Sequence, residues 1–293
     1  FVFKKMSKIN LKKKLVIGCA NFTQKYGADI IKINHNEIKK ILNFSIKNNI
    51  NKIDTAHSYL KNNNIFLKKI KKKLDIITKI KPNNQWTSLS FCKKNLEEHF
   101  KKFQNNKIET LLFHNLNILF TDAGFKVFKN LEILKKKKYF KKLGLSIYEP
   151  EILNYLTSKY NIDVIQCPYN ILDKRIIYSG WLNKLKKKGI EVHARSIFLQ
   201  GLLVNRKVYK KKYFHKWQSQ FFEWFEILEK KKISPIDYCI SDLLNHDFDK
   251  VIIGINNCDN LKDIINFKNI KKREKILKLK TNDLKLIDPR NWK

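Results

Sequence analysis

The 293-residue chain has few residues of several types, and each shortage argues against a class of protein. Its five cysteines are dispersed and form no Cys-x-x-Cys pair, which argues against a zinc site or a disulfide framework and favours reduced thiols. No run reaches the roughly 18 consecutive apolar residues of a membrane span, and no charged-then-apolar N-terminal signal is evident. We therefore expect a cytoplasmic protein without a membrane partner.

Arginine is scarce in a chain that is otherwise strongly basic. The formal net charge is +36, yet only five of the 62 basic residues are arginines. Proteins that read nucleic acids favour arginine, because its planar guanidinium donates two hydrogen bonds at once. Asn, Ile, Phe and Tyr are abundant, a composition typical of AT-rich codons. We expect no specific nucleic-acid partner; lysines clustered on one face would instead indicate a nucleic-acid binder.

Two further absences and one scarce residue type narrow the possible classes of protein. There is no Gly-x-Gly-x-x-Gly motif, so a Rossmann dinucleotide site is not indicated. The histidines show no metal-ligand spacing, and we expect no metal site. Methionine occurs once, at Met6, which makes Met6 a candidate natural start and would place residues 1–5 upstream of it.

Eight short apolar runs alternate with stretches of helical period. The runs are predicted strands at Leu15–Gly18, Asn51–Asp54, Leu74–Lys79, Glu109–His114, Lys142–Ser146, Val164–Pro168, Glu191–Ser196 and Lys250–Gly254. Eight strand-helix units without a linker predict an α/β protein that is a single (β/α)8 TIM barrel over residues 1–293. A doubly wound open sheet is the alternative, but the absence of an antiparallel edge strand favours closure.

Polar side chains stand where several of these runs end. Asp54, Lys79 and His114 end three of them, and Tyr59 follows Asp54 by one loop turn. In a parallel barrel, the carboxyl ends of the strands meet at one mouth. An acid, a phenol, an ammonium and an imidazole in one cleft make a proton-transfer site. The opposite strand ends show no comparable set.

At these strand ends the sequence resembles the aldo-keto reductase superfamily over nearly its whole length. The motifs that carry the resemblance are Asp54-Thr55-Ala56-x-x-Tyr59, Thr78-Lys79, Leu111-Leu112-Phe113-His114, Leu143-Gly144-Leu145-Ser146, Gln166-Cys167-Pro168-Tyr169-Asn170, Ala194-Arg195-Ser196-Ile197-Phe198-Leu199-Gln200-Gly201 and Val251-Ile252-Ile253-Gly254. The Arg-Ser-x-Phe-Leu-Gln-Gly stretch looks like a bacterial subset of the family. Each motif alone is weak evidence for the family. Seven of them in the family's order, each at a predicted strand end, are specific evidence together.

The resemblance implies a catalytic tetrad of Asp54, Tyr59, Lys79 and His114. Tyr59 would act as general acid, giving a proton to a carbonyl oxygen while a nicotinamide delivers hydride to the carbon. A free phenol has a pKa near ~10, so a nearby ammonium such as Lys79 would help it by stabilising the phenolate. Asp54 would hold that ammonium in place, and His114 would orient the carbonyl.

The resemblance also implies a cofactor lying extended across the barrel mouth. Ser146 and Gln166 would hold the nicotinamide carboxamide with Asn170 nearby, and Arg195 would stack on the ring. The loop from Ser196 through Phe198 to Gly201 would cover the pyrophosphate. The adenosine end would meet backbone amides that precede a helix, and its residues are Gly254, Asn256, Asn257, Asn260 and Asp263.

Two departures from the family bear on the cofactor. Arg195 stands where most members have an aromatic residue, and Asn256-Asn257 replace the Lys/Arg-Ser pair often found near a 2′-phosphate. Lys262 is the nearby cation. NADP(H) is therefore expected because the family commonly uses it, and NAD(H) remains the alternative.

We expect an NADP-dependent aldo-keto reductase, an oxidoreductase of CH-OH donors that reduces a small aldehyde or ketone. Phe22, Trp86 and Tyr148 would line the substrate site. The protein would be a monomer or a weak homo-oligomer. A non-catalytic nucleotide-binding barrel that acts as a regulatory or binding subunit is the alternative, and the intact tetrad favours the enzyme.

Overall fold

The structure is a computed structural model that describes residues 8–23, 27–28, 33–60, 73–104, 106–270 and 283–292. The candidate upstream segment, residues 1–5, lies outside them.

Eight parallel strands close into a barrel in which each strand pairs with the next and the last pairs with the first. The strands are β1 Leu15–Gly18, β2 Lys52–Asp54, β3 Asp75–Ile80, β4 Lys107–Phe113, β5 Lys142–Ser146, β6 Val164–Pro168, β7 Glu191–Arg195 and β8 Lys250–Gly254. This confirms the predicted TIM barrel. The bounds differ from the predicted ones by two residues or fewer, so that His114 and Ser196 directly follow β4 and β7.

One layer of apolar side chains forms a small buried cluster of its own, apart from the main core. Its members, Val16, Ile77, Leu112, Val164 and Ile252, come from five different strands. We identify this layer with the barrel interior. Because side chains alternate between the two faces of a strand, the residue two positions further along shares the same face. That rule assigns five mouth residues to the interior face, namely Gly18, Lys79, His114, Gln166 and Gly254.

Helices surround the strands, and short polar side chains begin several of them. The α-helices are Lys8–Lys14, Ala20–Thr23, His35–Lys47, Leu89–Lys101, Asp122–Lys136, Leu153–Lys159, Arg175–Tyr178, Trp181–Lys187, Gln218–Lys230, Pro235–Leu243, Cys258–Ile265 and Leu284–Ile287. Asn34, Ser88, Thr121 and Asn257 each accept a hydrogen bond from a backbone N–H in the first turn. Such caps satisfy N–H groups that have no partner within the helix.

A second hydrophobic cluster lies beside the mouth of the barrel. It combines the segment after β7, including Leu199 and Leu203, with helix Gln218–Lys230. Within it, the Trp224 indole N–H donates to the Leu203 carbonyl at 3.0 Å. This packing fixes the loop that follows Arg195.

The opposite end of the barrel carries a network of partly exposed charges, which corrects the expectation that this end lacks a comparable polar set. Lys52 of β2 forms ion pairs with Glu109 and, at 2.9 Å, with Asp75. Lys142 of β5 pairs with Glu191 of β7 at 2.5 Å. Lys52, Asp75, Lys142 and Glu191 begin their strands, and Glu109 is the third residue of β4. Their polar groups therefore lie toward the end of the barrel away from the mouth.

Candidate active site

The centre of the mouth is an ion pair between β2 and β3. Lys79 Nζ donates to Asp54 Oδ1 and also to the Thr55 carbonyl at 3.3 Å. The two side chains are only 5% and 7% exposed. The Gln166 side-chain amide donates to the other Asp54 oxygen at 2.9 Å. Burial lowers the pKa of Lys79, and the Asp54 carboxylate opposes that shift.

Tyr59 reaches the mouth on a short 3-10 helix, His57–Leu60, that begins directly after the loop from β2. Its backbone N–H donates to the Ala56 carbonyl at 3.0 Å. The Tyr59 ring meets the ring of His114 edge to face, with centroids 6.0 Å apart and planes at 87°. The phenol and the imidazole therefore lie side by side.

His114 is held directly after β4, where its backbone N–H donates to the Ile80 carbonyl at 2.7 Å. Burial, reinforced by the positive charges of Lys79 and Lys81, lowers the pKa of His114 to about 4. The imidazole is consequently neutral around pH 7, and a neutral imidazole can donate one hydrogen bond and accept another.

A cavity of about 480 Å³ opens at the mouth. Asp54, Tyr59, Lys79 and His114 all line it. Nine of the predicted cofactor residues line it as well, namely Ser146, Gln166, Arg195, Ser196, Phe198, Gly201, Gly254, Asn256 and Asn260. One cavity therefore joins the two predicted sets of residues.

Three predicted cofactor residues do not line this cavity. Asn170 is buried, accepts from the backbone N–H groups of Leu172 and Asp173, and donates to the Ser196 carbonyl at 3.3 Å. Asn257 caps helix Cys258–Ile265, and Asp263 is exposed on that helix. Asn170 is thus placed to position the loop that follows β7.

That loop has an uncommon backbone conformation. Ser196, Leu199 and Gln200 have φ angles of 62°, 44° and 52°, and Gly201 has 95°. Positive φ in residues other than glycine is costly and concentrates at functional sites. The loop borders the cavity through Ser196, Gln200 and Gly201.

The predicted substrate residues divide into two groups. Tyr148 lines the cavity, but Phe22 and Trp86 belong to the hydrophobic core and do not line it. Trp86 lies on the 3-10 helix Asn84–Thr87 and packs edge to face on Phe91. Burial within the core is the physical reason that the cavity wall excludes these two side chains.

Tyr148 is stacked by two guanidinium groups. The Cζ atoms of Arg195 and Arg290 lie 4.1 Å and 3.5 Å from its ring centroid. Arg195 also donates to the Ile147 carbonyl at 3.0 Å, and Arg290 pairs with Asp288 at 2.5 Å. The segment 283–292 therefore helps to hold the wall of the cavity, a role for Arg290 that sequence reasoning missed.

Sequence reasoning also missed Asn21. It follows β1 on the short helix Ala20–Thr23, lines the cavity, and donates at 2.9 Å both to the Ile255 carbonyl and to Asn256 Oδ1. The position after a strand was the available signal, because Gly18 ends β1 at the mouth. Asn21 ties the first βα loop to the last one.

Two buried side-chain oxygens at the cavity have no hydrogen-bond partner among the described residues. They are Oε1 of Gln166 and Oδ1 of Asn21. A buried acceptor without a donor is costly, so such atoms point to a ligand or water that supplies one. The Gln166 oxygen fits the amide of a nicotinamide carboxamide, since its own amide nitrogen is already bound to Asp54.

The chain belongs to the Aldo/keto reductase family, whose family model matches residues 14–279. Members of this family are oxidoreductases that use nicotinamide cofactors. A comparison with curated proteins found no match.

Solved structures with the same fold include two from bacteria. One is the glycerol dehydrogenase from Gluconobacter oxydans, which is 16% identical with a TM-score of 0.65, over 89% of this chain and 88% of that one. The other is the holo form of an aldo-keto reductase from Bacillus halodurans, which is 18% identical with a TM-score of 0.71, over 92% of this chain and 94% of that one. At these identities, the similarity establishes the fold alone.

Within the described residues, no helix is long and apolar enough to cross a membrane. The same residues contain no cluster of three or more His, Cys, Asp or Glu side chains that could hold a metal ion.

Proposed function

We propose that the protein reduces an aldehyde or a ketone to an alcohol with NAD(P)H, with Tyr59 as the general acid. The observation that carries the proposal is the buried pair of Asp54 and Lys79, which shares one cavity with Tyr59 and His114. A buried ion pair is costly to assemble and adds little stability on its own. Its position in the same cavity as a phenol supports a role in proton transfer.

Ser146, Gln166 and the loop from Ser196 to Gly201 would hold the cofactor. The acceptor of Gln166 that lacks a protein donor supports this assignment. When bound, the cofactor supplies the hydride for the carbonyl carbon. NADP(H) is the expectation from the sequence, with NAD(H) as the other candidate.

The chain's own residues would carry the proton chemistry. His114, neutral because of its lowered pKa, donates a hydrogen bond that orients the carbonyl oxygen. The Tyr59 hydroxyl gives its proton to the same oxygen, and Lys79 stabilises the phenolate that remains. Asp54 keeps the ammonium charged despite its burial, since it supplies the opposite charge directly.

The surroundings of the site support a small carbonyl substrate. Tyr148, on whose ring the guanidinium groups of Arg195 and Arg290 pack, forms part of the cavity wall and would contact the substrate. The proposed enzyme acts in the cytoplasm as a monomer or a weak homo-oligomer, without a nucleic-acid or membrane partner. Its five free cysteines are consistent with a reducing compartment.

The test is oxidation of NADPH and of NADH with a panel of aldehydes and ketones. Wild type would be compared with Tyr59→Phe, and with Tyr155→Phe as a matched control at an exposed position of helix Leu153–Lys159. We expect turnover by wild type and the control, and loss in Tyr59→Phe. Dinucleotide binding without turnover of any carbonyl would instead indicate a regulatory or binding subunit.

A further inference from the structure

Glu37 belongs to helix His35–Lys47, and its carboxylate contacts the start of the helix that follows β8. Its Oε1 accepts a hydrogen bond at 2.7 Å from the backbone N–H of Cys258, the first residue of helix Cys258–Ile265. Glu37 is itself held in place, because its backbone N–H donates at 2.9 Å to the capping side chain of Asn34. The side chain is 21% exposed, so its charge is only partly screened by water.

The cavity extends to this same helix start, where Asn256 and Asn260 line it. Cys258 stands between these two residues in the chain. The side chain of Asn257 accepts from the Asn260 N–H at 2.8 Å. Two of the N–H groups that would suit a phosphate at a helix start are therefore taken by the chain's own side chains, and one of these is an anion.

Two lysines of the described residues, Lys40 and Lys262, lie near this helix start, and each is next to an acid. Lys40 Nζ is 3.7 Å from Glu37 Oε2, and its side chain is 70% exposed. Lys262 pairs with Asp259 at 2.8 Å. Lys262, the cation expected from the sequence to meet a 2′-phosphate, is thus already paired.

We infer that Glu37 selects against the 2′-phosphate of a dinucleotide, so that the protein prefers NAD(H) to NADP(H). A 2′-phosphate here would compete with the carboxylate for the same N–H groups and would be repelled by its charge. A free ribose 2′-hydroxyl meets no such repulsion and can donate a hydrogen bond to a carboxylate. This inference rests on the proposed function. It replaces NADP(H), the cofactor expected from the family resemblance, with NAD(H).

Equilibrium binding tests the inference without turnover. Calorimetry or the fluorescence of the bound nucleotide would compare NADH with NADPH, and AMP with adenosine 2′,5′-bisphosphate. Wild type should bind the dinucleotide without the 2′-phosphate more tightly by roughly tenfold, the scale of one unfavourable charge contact near a surface. Raising the salt to roughly 0.5 M should shrink that ratio, because the charges are screened.

Glu37→Gln removes the charge but keeps an oxygen that can accept from the Cys258 N–H. We expect it to bind NADPH more tightly by roughly three- to tenfold and to change NADH affinity by less than about twofold. Glu98→Gln, on the exposed face of helix Leu89–Lys101, is the matched control and should leave the ratio unchanged.

The binding measurements distinguish a failure of the inference about Glu37 from a failure of the proposed function. Wild type that binds NADPH as tightly as NADH would overturn the role of Glu37 and leave the proposed reductase intact. An unchanged ratio in Glu37→Gln, with the fold retained, would do the same. Wild type that binds neither dinucleotide would overturn the proposed function itself and the inference with it.

Discussion

Lys79 donates to Asp54 across adjacent strands of the barrel, and both side chains are almost completely buried. The second Asp54 oxygen is taken by the amide of Gln166. A buried ion pair is stable only while both partners are present, because a lone buried charge is not compensated. Removing one partner should therefore affect both stability and activity, whereas removing both should affect mainly activity.

Lys79→Met should both inactivate and destabilise the protein. It leaves Asp54 charged and buried, which costs about 3–5 kcal/mol. Asp54→Asn combined with Lys79→Met removes both charges and should recover much of that stability without recovering activity. Urea unfolding and carbonyl turnover measured on the same preparations would check this. A double variant with restored turnover would contradict a catalytic role for Lys79.

His114 should not titrate in the working pH range. Its pKa is lowered to about 4, so kcat/KM measured between about pH 5 and 8 should show no acid limb that is due to this residue. His114→Gln keeps an N–H donor and should retain more activity than His114→Phe. An acid limb near pH 6.5 that disappears in His114→Gln would contradict the neutral imidazole.

His99 should make the fold sensitive to acid. It is buried and hydrogen-bonds Thr78 Oγ1 at 2.8 Å and His57 Nδ1 at 3.2 Å. Burial, helped by His57 and Lys102, lowers its pKa to about 3. Between the unfolded value of 6.5 and about 3, the unfolded chain binds a proton that the folded chain does not.

Protonation of His99 therefore leaves the free energy of unfolding unchanged above about pH 6.5. As the pH falls from there toward 3, it lowers the free energy of unfolding by up to about 1.4 kcal/mol per pH unit. His99→Gln should show a flatter dependence of its urea midpoint on pH than wild type does. His215→Gln, on the 3-10 helix Lys212–Trp217, is a histidine control. Equal slopes for wild type and His99→Gln would refute the assignment.

Gln166→Met tests the unpartnered acceptor at the cavity. The variant keeps the approximate volume but removes both the donor to Asp54 and the free Oε1 atom. Loss of one buried hydrogen bond to a ligand should weaken dinucleotide binding by about 1–3 kcal/mol, roughly five- to 150-fold. Calorimetric titration would measure it. Unchanged affinity would show that this oxygen does not face the cofactor.

The sequence predicted the barrel and its mouth because both depend on local regularities. Apolar runs separated by helical periods define the strands, and the carboxyl ends of parallel strands meet at one mouth. Lys79 and Gln166 could therefore be assigned to the mouth from the sequence. The structure adds that each follows an interior side chain, Ile77 or Val164, by two residues.

Contacts between segments that are distant in the sequence could not be predicted from residue spacing. Glu37 meets Cys258 across 221 positions, and Arg290 reaches Tyr148 from the far end of the chain. Trp86 looked available for a substrate because its loop follows β3, yet it packs inward on Phe91. Which helix packs against which loop depends on three-dimensional packing that residue spacing does not encode.

Turnover by Tyr59→Phe, measured beside its cofactor affinity, tests the central claim most directly. The change removes one hydroxyl from the cavity and leaves the ring against His114. We predict that kcat falls by about 10²–10⁴-fold, the usual contribution of general acid catalysis, while dinucleotide affinity stays within about twofold. A kcat equal to that of wild type would contradict the account.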